Sequence, residues 1–379
     1  MNKTIYIIIV LSFSLCFISG CDKKVTTKAN YQWHLIEGLP KPQVPVDNPM
    51  TAAKAALGRQ LFYDKNLSFN QVESCSSCHQ QRYAFSDNKV VSVGTTGQKH
   101  RRNAPALVNI AYNKTLTWAH DGITTLERQI LLPMFGESPI ELGITGHEDE
   151  ILARFNTPKY QQLFAQAFPE QTVSFNLIVK ALSSFVRSLI SLNSPFDRYA
   201  YYGDDSAISA EAIRGMKLFF SEKFECHHCH GGFNFTQSTS HQQQLIDRRP
   251  FHNTGLYNVD YGNGKSGSPK KDIGLAEIST LAQDNGRFRA PTLRNIALSA
   301  PYMHDGSVAT LGEVLDIYAA GGRNITSGKY SGDGRLNPLK SQFVQGFAMT
   351  EQDKQDLLAF LATLTDESFL TNPEFSKPK

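Results

Sequence analysis

Two short runs hold the residue types best placed to do chemistry, Cys75-Ser76-Ser77-Cys78-His79 and Cys226-His227-His228-Cys229-His230. In each, two thiols three positions apart are followed at once by an imidazole. Thiols at that spacing add to the two vinyl groups of one porphyrin, and the adjoining histidine turns beneath the ring to bind iron. Zinc uses the same residue types, but its cysteine pairs usually lie ~12–20 residues apart. Here most of a domain separates the pairs, and zinc would leave both histidines unexplained. The runs therefore read as attachment sites for two covalently bound haem c groups, with His79 and His230 as iron ligands. The chain has six cysteines. The other two, Cys16 and Cys21, belong to the N-terminal region, so none remains for a disulfide. His227 and His228 lie between the thiols and read as solvent-facing.

The elements that position these runs occur twice. Gly58-Arg59-Gln60-Leu61-Phe62 answers Gly215-Met216-Lys217-Leu218-Phe219, each ahead of a cysteine pair. Asn103-Ala104-Pro105-Ala106-Leu107-Val108-Asn109-Ile110-Ala111 answers Arg289-Ala290-Pro291-Thr292-Leu293-Arg294-Asn295-Ile296-Ala297. His120-Asp121-Gly122 answers His304-Asp305-Gly306. Matched landmarks in one order imply two homologous halves meeting across a pseudo-symmetric interface. Apolar residues spaced by threes and fours predict helices over 52–62, 148–168, 173–192, 207–220 and 351–364. Ser209 and Thr350 are plausible N-caps, Thr350 with Asp353 three residues on. Long Gly- and Asn-rich loops intervene, notably 237–287, and no run alternates as strands do. The expected fold is mainly α, with two cytochrome c-like haem domains, at 49–205 and 206–379, related by an internal repeat and joined by long loops.

The N-terminus reads as an address. Lys3 precedes an apolar run, Ile5 to Phe17, too short to span a membrane as a mature helix. It ends in Ile18-Ser19-Gly20-Cys21, which resembles the lipobox of bacterial lipoproteins. Residues 1–20 would be the signal and Cys21 the lipidated first residue; an ordinary signal peptide cut nearby is the alternative. Residues 21–48 are polar, carry Pro40, Pro42 and Pro45, and read as a tether. No later segment supplies the about eighteen apolar residues of a spanning helix. The net charge of +3 is too small to imply nucleic acid. The expected location is the periplasm, with a lipid anchor to a bacterial membrane.

Phe85-Ser86-Asp87, Ser92-Val93-Gly94, Arg102-Asn103-Ala104-Pro105 and Tyr302-Met303-His304-Asp305-Gly306, with the two haem runs, resemble the bacterial di-haem cytochrome c peroxidase and MauG superfamily. The similarity covers nearly the whole mature chain. Trp118-Ala119-His120-Asp121-Gly122, Cys229-His230-Gly231-Gly232-Phe233-Asn234-Phe235 and Phe251-His252-Asn253-Thr254-Gly255-Leu256-Tyr257-Asn258 are most similar to the MbnH-type enzymes, associated with methanobactin operons and small copper-binding partner proteins. The resemblance implies roles for particular residues. Thr95 stands where some peroxidases place a capping histidine, so the N-terminal haem is expected to be peroxidatic, with an open distal face; His100 is the rival sixth ligand. Glu141 matches the family's distal glutamate, which shuttles a proton, and Gln129 its distal glutamine, which orients peroxide. Tyr318 takes the place of the methionine ligand of the C-terminal, electron-transfer haem, as in MauG-type proteins, and a phenolate there would stabilise oxidised iron; Met303 and Met349 are its rivals. The family's inter-haem tryptophan matches Trp118 counting from Ala104-Pro105, or His120 counting back from Asp121-Gly122. A calcium between the halves would be held by Asn103, Ser299 and Pro301, serine replacing a threonine.

The resemblance implies an enzyme that activates hydrogen peroxide and oxidises a protein partner, in the MbnH-like case a tryptophan of a small copper-binding protein. One alternative is an ordinary cytochrome c peroxidase fed by a small redox protein. The other is a non-enzymatic electron carrier with both irons six-coordinate.

Overall fold

Helix α1 (Ala52–Tyr63) starts where the Thr51 hydroxyl accepts from Lys54 N, and a one-turn helix α2 (Cys75–Cys78) follows it. This is the beginning of a computed structural model that describes residues 31–246, 248–261 and 266–379. The signal and the lipid-anchor cysteine expected at Cys21 lie outside the described residues. The rest of the first half is α3 (Leu126–Phe135), α4 (Glu148–Arg154), α5 (Pro158–Ala167), α6 (Phe175–Arg187) and α7 (Pro195–Tyr202). The second half holds α8 (Ala210–Phe219), α9 (His227–His230), α10 (Ala276–Ser279), α11 (Leu311–Ala319), α12 (Glu351–Ala362) and α13 (Glu367–Thr371). Sheet among the described residues is confined to two antiparallel ladders, β1 (Val259–Asp260) with β2 (Ser266–Gly267) and β3 (Asn324–Ile325) with β4 (Gly332–Asp333). The fold is helix-rich, as expected.

The expected caps form. Ser209 accepts from Ala212 N, and Thr350 and Asp353 make a reciprocal capping box. The single helix expected over 148–168 is two. Pro158 cannot continue a helix but suits its first turn, so α5 restarts there with Thr157 as its cap. Helices α3, α7 and α11 were not anticipated. Helix α3 contains Pro133, while α7 and α11 open with capping boxes at Ser194/Asp197 and Thr310/Glu313.

Each half is built on one tight helix crossing. Gly58 on α1 faces Ala181 of α6 so closely that a Cβ would overlap the Ala181 carbonyl. Gly215 on α8 meets the Asp356 carbonyl of α12 in the same way. Beyond each pair an asparagine in left-handed conformation, Asn109 at φ 52° and Asn295 at φ 58°, opens a short 3-10 turn. Asn109 exchanges hydrogen bonds with the Ser191 backbone, and Asn295 accepts from Asp366 N while donating to Ser191 Oγ. Leu57, Leu61, Phe62, Phe85 and Phe185 form the first core, and Phe219, Phe235, Leu357 and Phe360 the second.

The C-terminal segment crosses from the second half to the first. Phe369 and Phe375, from the C-terminal end, are buried in the first core, where Tyr63 Oη donates to Phe375 O at 2.7 Å and Arg59 Nε to Ser376 O at 2.8 Å. The described part of the expected tether is packed: Asn48 is fully buried and donates to Glu127 and to Lys180 O. No helix of the described residues is long and apolar enough to cross a membrane.

Candidate active site

Helix α2 presents Cys75 and Cys78 on one side, and the chain leaves it at His79. His79 Nδ1 donates to Phe85 O at 2.7 Å, an acceptor made available because Ala84 and Phe85 both adopt positive φ, 53° and 62°. In α9, His230 Nδ1 lies 3.1 Å from Pro291 O and 3.3 Å from Phe235 O. Each bond fixes the tautomer with the proton on Nδ1 and leaves the Nε2 lone pair for a metal. Burial lowers His79 and pushes His230 down to about 4, so both rings are neutral at pH 7, the form that ligates iron.

Above the first motif sits a strapped loop. Thr95 N donates to Glu141 O, Ile140 N to Gln98 Oε1 and Leu142 N to Pro133 O, which pins the residues on either side of the Glu141 carboxyl. Gly94 permits this, because a Cβ there would overlap Ile140 O. Glu141 lies close enough to Cys75 and Cys78 for its charge to raise both thiols. Burial pushes the Glu141 carboxyl from 4.5 up to about 7. His100 Nε2 stands 3.9 Å from Glu141 Oε1. Burial lowers His100, so its ring is uncharged at pH 7 and this contact is not an ion pair. His100 also depresses His79, which places it at the same motif. Gln129, on α3, has a buried Oε1 with no hydrogen-bond partner.

The second site is a cavity lined by Cys226, Cys229 and His230, with Tyr318, Trp118, Arg289 and Met303 among its other walls. Tyr318 projects from the last turn of α11; burial raises its phenol, and so does the charge of Cys229 and Cys226. It is therefore a neutral phenol unless a cation displaces its proton. Met303 shares the cavity, whereas Met349 packs in the second core.

The seam between the halves runs along one wall of this cavity. Trp118 Nε1 donates to Asn103 O, and Trp118 O accepts from Arg289 N, both at 2.8 Å. His120, by contrast, is turned into its own loop, its Nδ1 accepting from Gly122 N at 3.0 Å. Asn103 N donates to His304 O, and its side-chain amide donates to Lys89 O. Asn103, Ser299 and Pro301, the expected calcium ligands, are all among the residues that line this cavity.

The residues fit haem c. The Arg289 guanidinium is buried, donates through Nε to Thr117 O at 3.1 Å and leaves Nη1 without a partner. Burial pushes it down only to about 10, so the group stays charged. An unpaired buried cation at the wall of an otherwise apolar cavity calls for a carboxylate, and a haem carries two as propionates. The cavity thus offers two thiols, a tautomer-fixed imidazole, a phenol and a counter-charge.

Helical architecture, paired thioether motifs and oriented histidines define a covalent two-haem protein, and comparison with known proteins identifies which. The family model for di-haem cytochrome c peroxidase matches residues 52–206. A cytochrome-c peroxidase, IdrP1, of Pseudomonas sp. (strain SCT) is 35% identical over 86% of this chain and 84% of its own length. The methylamine utilization protein MauG of Methylorubrum extorquens is 33% identical over 87% of this chain and 82% of its own. A crystal structure described as a MauG-like protein associated with microbial copper homeostasis shares 49% identity, with a TM-score of 0.88, covering 92% of this chain and 99% of that one. The chain belongs to the di-haem cytochrome c peroxidase and MauG family, and it is an oxidoreductase of the peroxidase type. The family implies two haem c groups, one on each motif.

Sequence reasoning missed part of the seam. Arg102 makes a bidentate pair with Asp272, at 2.8 and 2.7 Å, and lies over the ring of Phe288. Phe288 in turn stacks on His304, centroids 3.6 Å apart. Arg102 and His304 both sat in quoted motifs, but Asp272 and Phe288 lie on the long loop or at its end, where spacing carries no signal. Arg289 stood in a repeat landmark without being assigned chemistry.

Proposed function

We propose that this chain works on the periplasmic face of a bacterial membrane, uses hydrogen peroxide as oxidant, and takes electrons from a protein partner or oxidises that partner directly. One observation carries the reading: the two cysteine motifs face unlike groups. The first lies under a part-buried carboxyl whose pKa is about 7, the second across a cavity from a tyrosine. A pure electron carrier has no use for the carboxyl.

Bound haem c supplies at each site an iron that can change oxidation state. His79 and His230 would hold the two irons, Cys75, Cys78, Cys226 and Cys229 the porphyrins, and Tyr318 would be a further ligand of the second iron. Glu141, poised near neutral pH, takes a proton from one peroxide oxygen and returns it to the other. The unpartnered Gln129 amide orients the peroxide. Trp118, bonded to both halves, relays the oxidising equivalent across the seam; its indole can carry a one-electron hole. Asn103, Ser299 and Pro301 would hold a calcium that stiffens the seam. The duplicated glycine crossings and left-handed asparagines support two cytochrome c-like domains descended from one, at 49–205 and 206–379. Cys21 would carry a lipid anchor, following a signal over 1–20.

The copper-homeostasis context of the 49% identical structure supports an MbnH-like branch, in which the partner is a small copper-binding protein and a tryptophan of it is oxidised. The 35% identical cytochrome-c peroxidase supports the second reading, peroxide reduction with electrons from a small redox protein. Ferric EPR of the haem-loaded protein tests the common core. One high-spin and one low-spin signal are expected, the high-spin one lost on adding peroxide. Two low-spin signals indifferent to peroxide would leave only a carrier. Mass spectrometry of a candidate partner after peroxide treatment separates the branches, a gain of oxygen or loss of hydrogen marking protein oxidation.

A further inference from the structure

The second cysteine motif has an outward face with chemistry of its own. Cys226 and Cys229 must both point at one porphyrin, which forces the residues between them to the opposite side of the turn. In the first motif those residues are Ser76 and Ser77; in the second they are His227 and His228. Their rings lie side by side, centroids 4.2 Å apart. The chain then folds two carboxylates onto the pair. Glu222 follows the end of α8, and Glu225, at φ 58°, turns the chain sharply into the motif.

Glu222 Oε1 is 3.4 Å from His227 Nε2, and its Oε2 is 3.3 Å from His228 Nε2. Glu225 Oε2 approaches the same His228 nitrogen at 2.8 Å. One ligand atom each from Glu222, His227 and His228 lies within 4.8 Å of the others, and the described residues contain one such group. Tetrahedral coordination with bonds of ~2.0–2.1 Å places neighbouring donors about 3.3–3.4 Å apart. His227 Nδ1 is buried with no partner, which leaves Nε2 as the ring's working atom. His228 is held in place by stacking on Phe343, centroids 4.5 Å apart and planes within 15°.

We infer that Glu222, His227 and His228, with Glu225 as a fourth donor or as the group that orients His228, form a binding site for a divalent transition-metal ion of Cu(II) or Zn(II) type. Two imidazoles with carboxylate oxygens suit these borderline ions and do not suit calcium or magnesium. The side chains are accessible, His227 and His228 at 24% and 29% exposure and Glu222 at 79%, so an ion enters from solvent without rearrangement of the core. The site lies against the haem cavity, because Phe343 and Glu225 both line it. A bound cation therefore sits one aromatic ring from the second haem pocket.

The test uses the haem-loaded full chain, freed of loose metal with a chelator and titrated with Zn(II) or Cu(II) alone. Uptake of one Zn(II) or Cu(II) per chain is expected, with Cu(II) the tighter, and the Cu(II) EPR spectrum should show splitting from two nitrogens. The decisive variant replaces His227→Ser and His228→Ser together, giving the second motif the intervening residues that the first already carries. Haem attachment is retained, judged by the haem absorbance per chain. Metal affinity is expected to fall at least ~100-fold in this variant, and about tenfold in Glu222→Gln. Wild-type protein that takes up neither Zn(II) nor Cu(II) overturns the inference, as does a double-serine variant that binds as tightly as wild type. Neither result bears on the peroxidase reading, since no residue of this cluster takes part in it.

Discussion

Replacing Glu141 with Gln keeps the shape of the side chain and removes the proton it exchanges. The expected loss in the rate of peroxide turnover is ~10²–10⁴-fold, the usual worth of a positioned acid–base group. The pH dependence is the sharper test. With its pKa at about 7, the carboxylate fraction is about a tenth at pH 6, half at pH 7 and nine-tenths at pH 8. Proton abstraction from peroxide needs the carboxylate, so the wild-type rate should climb about tenfold from pH 6 to pH 8 and then level. An ordinary carboxyl at 4.5 would give a flat profile over that range. Stability moves the other way. Glu141 binds its proton more tightly folded than unfolded, so its burial carries no penalty below pH 4.5. Stability is then lost as pH rises from 4.5 through about 7, and the cost is complete above that. The ceiling on that cost is ~3 kcal/mol, and solvent over the third of the side chain that is exposed lowers it to ~1–2 kcal/mol. Glu141→Gln should therefore be more resistant to denaturant than wild type at pH 8 and indistinguishable from it near pH 4.5. Stopped-flow turnover and denaturant unfolding across pH measure both. A flat wild-type rate profile between pH 6 and 8, with the variant no more stable at pH 8, would refute the poised carboxyl.

Other substitutions probe the remaining parts. Tyr318→Phe keeps the packing in the last turn of α11 and should cost under ~1.5 kcal/mol, yet change the ferric absorption and EPR of the C-terminal haem; an unchanged spectrum would remove Tyr318 as ligand and turn attention to Met303. Gly215→Ala drives a methyl into the Asp356 carbonyl of α12 and should destabilise by ~2–3 kcal/mol or more, read as a lower denaturant midpoint at normal haem content. An effect within ~0.5 kcal/mol would show that the α8–α12 crossing can open freely.

Much of the site was legible because haem attachment is local. Two thiols and a histidine within five residues carry their meaning wherever they fall, and the duplicated landmarks foretold the order of the elements around them. Helices with an unbroken apolar period were also readable. The failures share a cause. Helix α3 hid behind Pro133, and α4 and α5 merged because the apolar spacing runs on through the break at Pro158. Helix α11, which carries Tyr318, was announced by its Thr310/Glu313 box, a signal passed over. The seam could not be read at all. Asp272 and Phe288 meet Arg102 only through tertiary folding, and nothing in their neighbours marks them. Trp118 and His120 were equivalent on counting; the hydrogen bonds of Trp118 to Asn103 and Arg289 are tertiary contacts that no count along the chain could show.

Phe369 and Phe375 complete the hydrophobic interior of the opposite half of the molecule. The first core therefore cannot be completed by residues of its own half alone. A product broken off before residue 369 would carry both cysteine motifs and still leave the first core without the two rings that fill it.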